Sequence, residues 1–430
     1  MSNLLDSKMK IGIIVAPFLI QELNKGEIID IETLENNEKV CTKNLTKELI
    51  LDDDKNAHFL TSDVLVINYL KCKSGDNVHI NVLNPLNMTE EDLEENHLNF
   101  ILTFNIVEAF HNFPRKKYNE FKKLIETAPN VYPNMEFQDF IDYKDIYYTY
   151  LKRHNINVQD FYVIKKSDHF SEDLAEFFTY KKANNWGNYI IKPLYGQEGI
   201  GFSMIDKKMD PVSIEYKIEQ LFQSDFPGIV FQKEIVPKFS KKSGKKNEYR
   251  TYFIGEKYIY MTAEEWQSQD DEDAHIHHTY DKMPDAETKK VIDFATGVIK
   301  IIPRIIIQKS TLKYLLLRVD ITYDNNDELV VSEIEYVPSL HIGLYKNPEF
   351  KKLKMHHLLG DEILSITYDY MNKQMVDSPK ISLSGIQNNV IYFIILLSFL
   401  LVMIVLFFLI NKISWKSLKI PFFAKIKKGS

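Results

Sequence analysis

Residues 317–336 read LRVDITYDNNDELVVSEIEY. Two apolar, strand-forming runs flank the polar turn Asp324–Asp327, so the stretch reads as a β-hairpin. Side chains alternate along a strand with period two. Arg318 and Asp320 therefore share one face, and Glu333 and Glu335 share a face of the partner strand. Paired across the hairpin, three carboxylates and an arginine converge on one point. Such carboxylates repel one another unless a cation sits among them, and an all-oxygen set suits Mg²⁺ with phosphate as co-ligand. The flanking Leu315–Leu317 and Leu329–Val331 runs argue against a solvent-facing charge ladder.

Working outward, Asn247–Glu248–Tyr249–Arg250 opens another strand, expected over Arg250–Met261, where an arginine can reach phosphate bidentately. Further upstream, the strands Asn188–Lys192 (NYIIK) and Gly228–Ile235 (GIVFQKEI) bracket a glycine-bearing loop and a helical stretch. That loop, KPLYGQEGIG over Lys192–Gly201, follows a lysine that closes a strand. Its glycines let backbone N–H groups approach phosphate, and the ammonium adds a point charge. No Gly-Lys-Ser/Thr follows and the spacing is not GxGxxG, so it is neither a P-loop nor a dinucleotide fingerprint. Lys144 lies early in a stretch with helical spacing, Phe137–Asn155.

Taken in order, Lys144, IIKPLYGQEGIGF, FQKEI, NEYRTYFIGEKYIY, LRVDITY and SEIEYVPS resemble the ATP-grasp superfamily. Its members include D-alanine–D-alanine ligase, glutathione synthetase, the ribosomal-protein glutamate ligases and some inositol phosphate kinases. The resemblance covers Lys144–Pro338. It implies a two-lobed ATP-binding domain in which Lys144 and Lys192 hold the α- and β-phosphates. Gly196, Gly199 and Gly201 would belong to the loop closing over the triphosphate. Gln232, Lys233, Glu234 and Ile235 would form the hinge whose backbone reads adenine. Arg250 and Arg318 would steady the transferring phosphate as catalytic residues, with Asp320, Glu333 and Glu335 as magnesium ligands. The family usually carries Glu-x-Asn where this chain has Glu333-Ile334-Glu335, which adds a charge to the metal site. The implied chemistry is ATP- and Mg²⁺-dependent ligation of a carboxylate to an amine through an acylphosphate. A kinase acting on a hydroxyl and a nucleotide-binding scaffold without turnover are the alternatives, and the acceptor is not readable.

The 430 residues suffice for two or three domains, and 45% apolar with 26% charged residues is globular usage. The expected fold class is mixed α/β and α+β. A small N-terminal α/β domain spans 1–135, with strands at 10–20, Asp63–Tyr69 and Asn99–Phe104. The ATP-grasp domain follows over 136–355, with lobes 136–230 and 231–355, then a closing helix and linker over 356–389. Two cysteines, Cys41 and Cys72, make neither a disulfide framework nor a four-cysteine zinc site, and point to a reducing compartment. His275, His277 and His278 lack a clear fourth ligand, and the lysine-rich Lys238–Lys246 reads as a solvated loop.

Val390–Ile410 is a run of 21 residues without a charge. At 1.5 Å per residue it makes roughly 31 Å of helix, the thickness of a bilayer core. Behind it, residues 411–430 carry six lysines and no acid, so the first 389 residues hold a net charge of −13 against −7 for the chain. That acidic body argues against a nucleic-acid partner. The expectation is a single-pass C-terminal anchor in the lipid bilayer with a cytosolic body. The positive-inside rule taken alone favours the opposite orientation.

Overall fold

The computed structural model describes residues 8–15, 28–30, 51–52, 58–102, 115–167, 169–195, 201–223, 226–235, 248–264, 285–337 and 353–377. The chain divides into two compact units, Met1–Asn372 and Lys373–Ser430. The expected span 390–410, the basic tail, Gly196, Gly199, the 238–246 lysines and the 275–278 histidines lie outside the described residues. Among those described, no helix is long and apolar enough to cross a membrane.

The N-terminal part runs β1 (Met9–Ile14), β2 (Ile28–Asp30), β3 (Leu51–Asp52), β4 (His58–Thr61), α1 (Ser62–Ser74), β5 (Val78–Leu83), α2 (Glu90–Glu94), β6 (Leu98–Ile101), α3 (Arg115–Thr127) and β7 (Val131–Tyr132). Strands β5-β1-β6-β7 form a parallel sheet, and β2-β4-β3 a small antiparallel one. Gly12 on β1 is required by close approach, since a Cβ there would run into the side chain of Asn99 on β6.

One expectation fails here. Asp63–Tyr69 lies within helix α1 and is not a strand. Val64, Leu65, Val66 and Ile67 are consecutive and all buried, so the first half of the helix presents no face to solvent. Burial on every side erases the 3.6-residue periodicity, and a short apolar run then reads as strand. The strand beside β1 is β5, whose His79 and Asn81 disguise it. Cys72 of α1 is disulfide-bonded.

The middle of the chain runs α4 (Met135–Asp142), α5 (Lys144–Arg153), β8 (Phe161–Lys165), α6 (Phe170–Ala183), β9 (Tyr189–Pro193), β10 (Ser203–Ile205), α7 (Pro211–Gln223) and β11 (Gly228–Lys233). Sheet β10-β9-β11-β8 is antiparallel. Its outer face, with Ile191, Ile229 and Phe231, packs with Phe177 of α6 and with Ile214 and Ile218 of α7 into a separate core. Phe177 stacks on Phe231 with ring centroids 4.0 Å apart.

The last part runs β12 (Glu248–Ile254), β13 (Lys257–Glu264), α8 (Asp285–Ile301), β14 (Ile305–Ile307), β15 (Ser310–Leu312), β16 (Leu317–Tyr323), β17 (Leu329–Tyr336) and α9 (Met355–Asp377). Sheet β13-β12-β16-β17 is antiparallel, and β16–β17 is the expected hairpin. The single strand expected over Arg250–Met261 is two strands folded about Gly255, whose φ of +59° favours glycine. Val291, Ala295, Val298 and Ile299 of α8 share one core with Val319 and Ile321 of β16.

Candidate active site

Sheet register assembles the site. Arg250 of β12, Asp320 of β16 and Glu333 of β17 lie opposite one another in one cross-strand row. Tyr252, Arg318 and Glu335 form the next row. A bulge follows Asp320, because Ile321 pairs with Val331 and Ser332 is the extra residue. The carbonyl of Ser332 accepts the Tyr148 hydroxyl of α5 at 2.6 Å. The bulge thus fixes α5 over the carboxylates.

Asp320, Glu333 and Glu335 each present an oxygen within 4.8 Å of the others. Arg318 is buried and chelates Asp320, Nε to Oδ1 and Nη2 to Oδ2, both at 2.8 Å. The same Nη2 donates to Glu335. Burial alone would lower the Arg318 pKa, but Asp320 and Glu335 raise it well above its ordinary value. Glu335 is pushed up to about 8, because burial together with Asp320 and Glu333 outweighs Arg318 and Arg250. Glu333 moves the other way: burial raises it, but Lys144, Lys192 and Arg318 hold it below the usual carboxylate range. An oxygen-only set of three clustered carboxylates, one of them with its pKa raised chiefly by burial, fits a hard dication such as Mg²⁺.

The two lysines come together through backbone. Helix α5 begins where Tyr143 forms an antiparallel bridge with Tyr195, the residue before the glycine run. The Lys144 amide donates to Leu194 O at 3.0 Å. Its ammonium, buried, stands 3.3 Å from Glu333 Oε1. Lys192, at the end of β9, lies over the Tyr148 ring at 5.8 Å. Burial would lower its pKa, but Tyr148, Glu333 and Glu248 raise it. Both cations therefore border the carboxylate cluster.

The remaining predicted residues fall around this centre. Gly201 has φ +73°, and a Cβ there would meet Leu221 at 2.7 Å and Pro193 at 2.9 Å. Arg250 reaches Glu248 at 3.5 Å. Gln232 and Lys233 end β11, with Glu234 and Ile235 just beyond. Val230 faces Lys192 across the sheet, so Gln232, two residues on, shares the face of Lys192. Gln232 is fully buried, and neither atom of its amide has a hydrogen-bond partner. An unmet donor and acceptor on that face fit the edge of a purine. At the hinge backbone, the Lys233 N–H donates to Asp160 O at 2.9 Å, the Lys233 carbonyl accepts from Gln159, and the Glu234 N–H donates to Asn188 O at 3.2 Å.

Sequence reading passed over Tyr148 and Glu248. Both carried a signal: Tyr148 stands one helical turn from Lys144, and Glu248 one strand repeat from Arg250.

Solved structures similar to this chain in fold include the following two. D-cycloserine synthetase DcsG aligns with a TM-score of 0.51 and 12% identity over 82% of this chain and 99% of its own. D-alanine–D-alanine ligase from Bacillus anthracis, complexed with ATP, aligns with 0.51 and 14% over 85% and 99%. The chain has the ATP-grasp fold. No protein-family model matches it, and no curated protein matches it by sequence. At these identities the shared property is the fold.

Proposed function

We propose that this chain is an ATP- and Mg²⁺-dependent ligase joining a carboxylate to an amine. The observation that carries the reading is the set of Asp320, Glu333 and Glu335 within 4.8 Å, bordered by Lys144 and Lys192. Lys144 and Lys192 hold triphosphate oxygens, and Gln232 lies against the base. Asp320, Glu333 and Glu335 are the residues that would hold Mg²⁺, which supplies charge neutralisation to phosphates when bound. Arg250 orients the γ-phosphoryl toward the acceptor carboxylate. Phosphoryl transfer gives an acylphosphate, and an amine displaces phosphate to leave an amide. No nucleophilic serine or cysteine takes part, so the protein contributes position and charge.

A second reading, nucleotide binding without turnover, rests on Arg318, which is tied to Asp320 and Glu335. The test is ADP release by the full chain with Mg²⁺ and a pool of amino acids, small carboxylates and inositol phosphates. Release that depends on acceptor and disappears in Asp320→Asn and Lys192→Ala supports the ligase, with an amide product to separate it from a hydroxyl kinase. Nucleotide binding without release selects the second reading.

Residues 390–410 anchor the protein in a bilayer in this proposal, with the body facing the cytosol. Membrane fractionation lost on deletion of 386–430 tests the anchor. The disulfide at Cys72 favours the opposite orientation. Asn87, in the sequon Asn87-Met88-Thr89, is exposed, and its glycosylation would decide for that alternative.

A further inference from the structure

Base selection in this fold needs groups that tell a 6-amino from a 6-oxo purine. Around the hinge, three backbone groups are already engaged. The Lys233 carbonyl accepts from the Gln159 side chain, and the N–H groups of Lys233 and Glu234 donate to Asp160 O and Asn188 O. Gln232 stands beside them on the face of Lys192, fully buried, with both amide atoms unpartnered. A buried amide with neither atom met is costly, and the cost is recovered when a ligand supplies both partners.

Adenine presents a donor at its 6-position and an acceptor at N1, while guanine presents an acceptor and a donor at the same two places. A carboxamide meets the first pair with its oxygen toward position 6 and the second after a half-turn about its last bond. No partner in the structure pins Gln232 in either orientation. We propose that the pocket accepts 6-oxopurine nucleotides as well as adenine nucleotides, with Gln232 reading either base edge by turning its amide. This rests on the reading of the site as a nucleoside-triphosphate pocket and goes beyond it in naming guanine nucleotides as ligands.

The experiment is titration of the full chain with Mg-ADP and Mg-GDP, followed by calorimetry, for the wild type and for Gln232→Glu. In the wild type the two dissociation constants should fall within about tenfold of each other. A carboxylate can only accept, so on either base edge it meets one of the two groups and repels the other, and Gln232→Glu should weaken ADP and GDP alike, by about tenfold. A wild type that prefers ADP by more than about a hundredfold, or Gln232→Glu affinities equal to those of the wild type, would overturn the proposal. Where a thermal melt shows Gln232→Glu unfolded, Gln232→Met is read in its place. It should weaken both nucleotides by about tenfold, and unchanged affinities would overturn the proposal equally. A wild type that binds neither nucleotide would bring down the triphosphate reading together with this one. Selective loss of GDP binding alone would leave the triphosphate reading standing.

Discussion

The ammonium of Lys144 stands 3.3 Å from Glu333 Oε1, at a point where helix α5 crosses the β16–β17 hairpin. Both groups belong to the proposed phosphate and magnesium sites, so in the free protein each neutralises the other. Lys144→Met removes that charge and leaves Glu333 with Lys192 and Arg318 for company. The expected cost is about 1–3 kcal/mol of stability, less than for an isolated buried pair because two cations remain. Turnover per molar ATP should drop about a hundredfold, the usual effect of losing one charge-stabilising group. The double variant Lys144→Met/Glu333→Gln should recover the melting temperature but not the turnover. Recovery of both would remove Lys144 from the site.

Glu335 makes the metal-free protein sensitive to pH. Its carboxyl is raised from the usual value near 4.5 to about 8 by burial and by Asp320 and Glu333. The folded state then holds a proton that the unfolded state releases, so stability is full at low pH and is lost as pH rises between those values. Glu335→Gln removes the ionisation while keeping a side chain of similar shape. In chelator at pH about 8.5 it should be more stable than wild type, on the order of 1–3 kcal/mol, with little difference at pH about 5. Unfolding curves at the two pH values check this, and parallel pH dependence in both proteins would count against it.

How far the sequence led depends on which signal each element carries. The carboxylate hairpin was legible because period two needs only local sequence, and its register pairs Arg318 with Glu335 and Asp320 with Glu333. Helix α1 was not, since Val64–Ile67 are buried on every side and leave no face to read. The Tyr143–Tyr195 bridge and the engagement of Lys233 by Gln159 join segments far apart in the chain, which no local pattern announces. The same limit hid the unmet Gln232 amide: its residue type was visible, but its burial was not.

Gly201 closes the glycine run in a conformation that other residues resist. Gly201→Ala meets both a φ of +73° and contacts of 2.7 Å to Leu221 and 2.9 Å to Pro193. A loss of about 1–3 kcal/mol is expected, measured by denaturant unfolding. Shortening the opposing side chain in Gly201→Ala/Leu221→Ala should relieve the contact and not the backbone strain. A double variant no more stable than the sum of the two single changes would show that Leu221 is not the obstacle.

The Tyr118 and Tyr195 hydroxyls lie 3.0 Å apart, buried between α3 and the residue just before the glycine run. Burial, followed by the charge of Asp142, keeps the Tyr195 phenol far above its ordinary pKa, so it stays protonated at working pH. Tyr118→Phe leaves the Tyr195 hydroxyl without that partner in a dry setting and should cost about 1–2 kcal/mol. Tyr118→Phe/Tyr195→Phe removes both hydroxyls, so its loss should be smaller than the sum of the single losses, a coupling of about 0.5–2 kcal/mol. Because Tyr195 also holds the start of α5 through Tyr143, the single change should raise KM for ATP more than it lowers kcat. Additive stabilities in the double-mutant cycle would mean that the two hydroxyls do not support each other, and an unchanged KM would separate this contact from the nucleotide site.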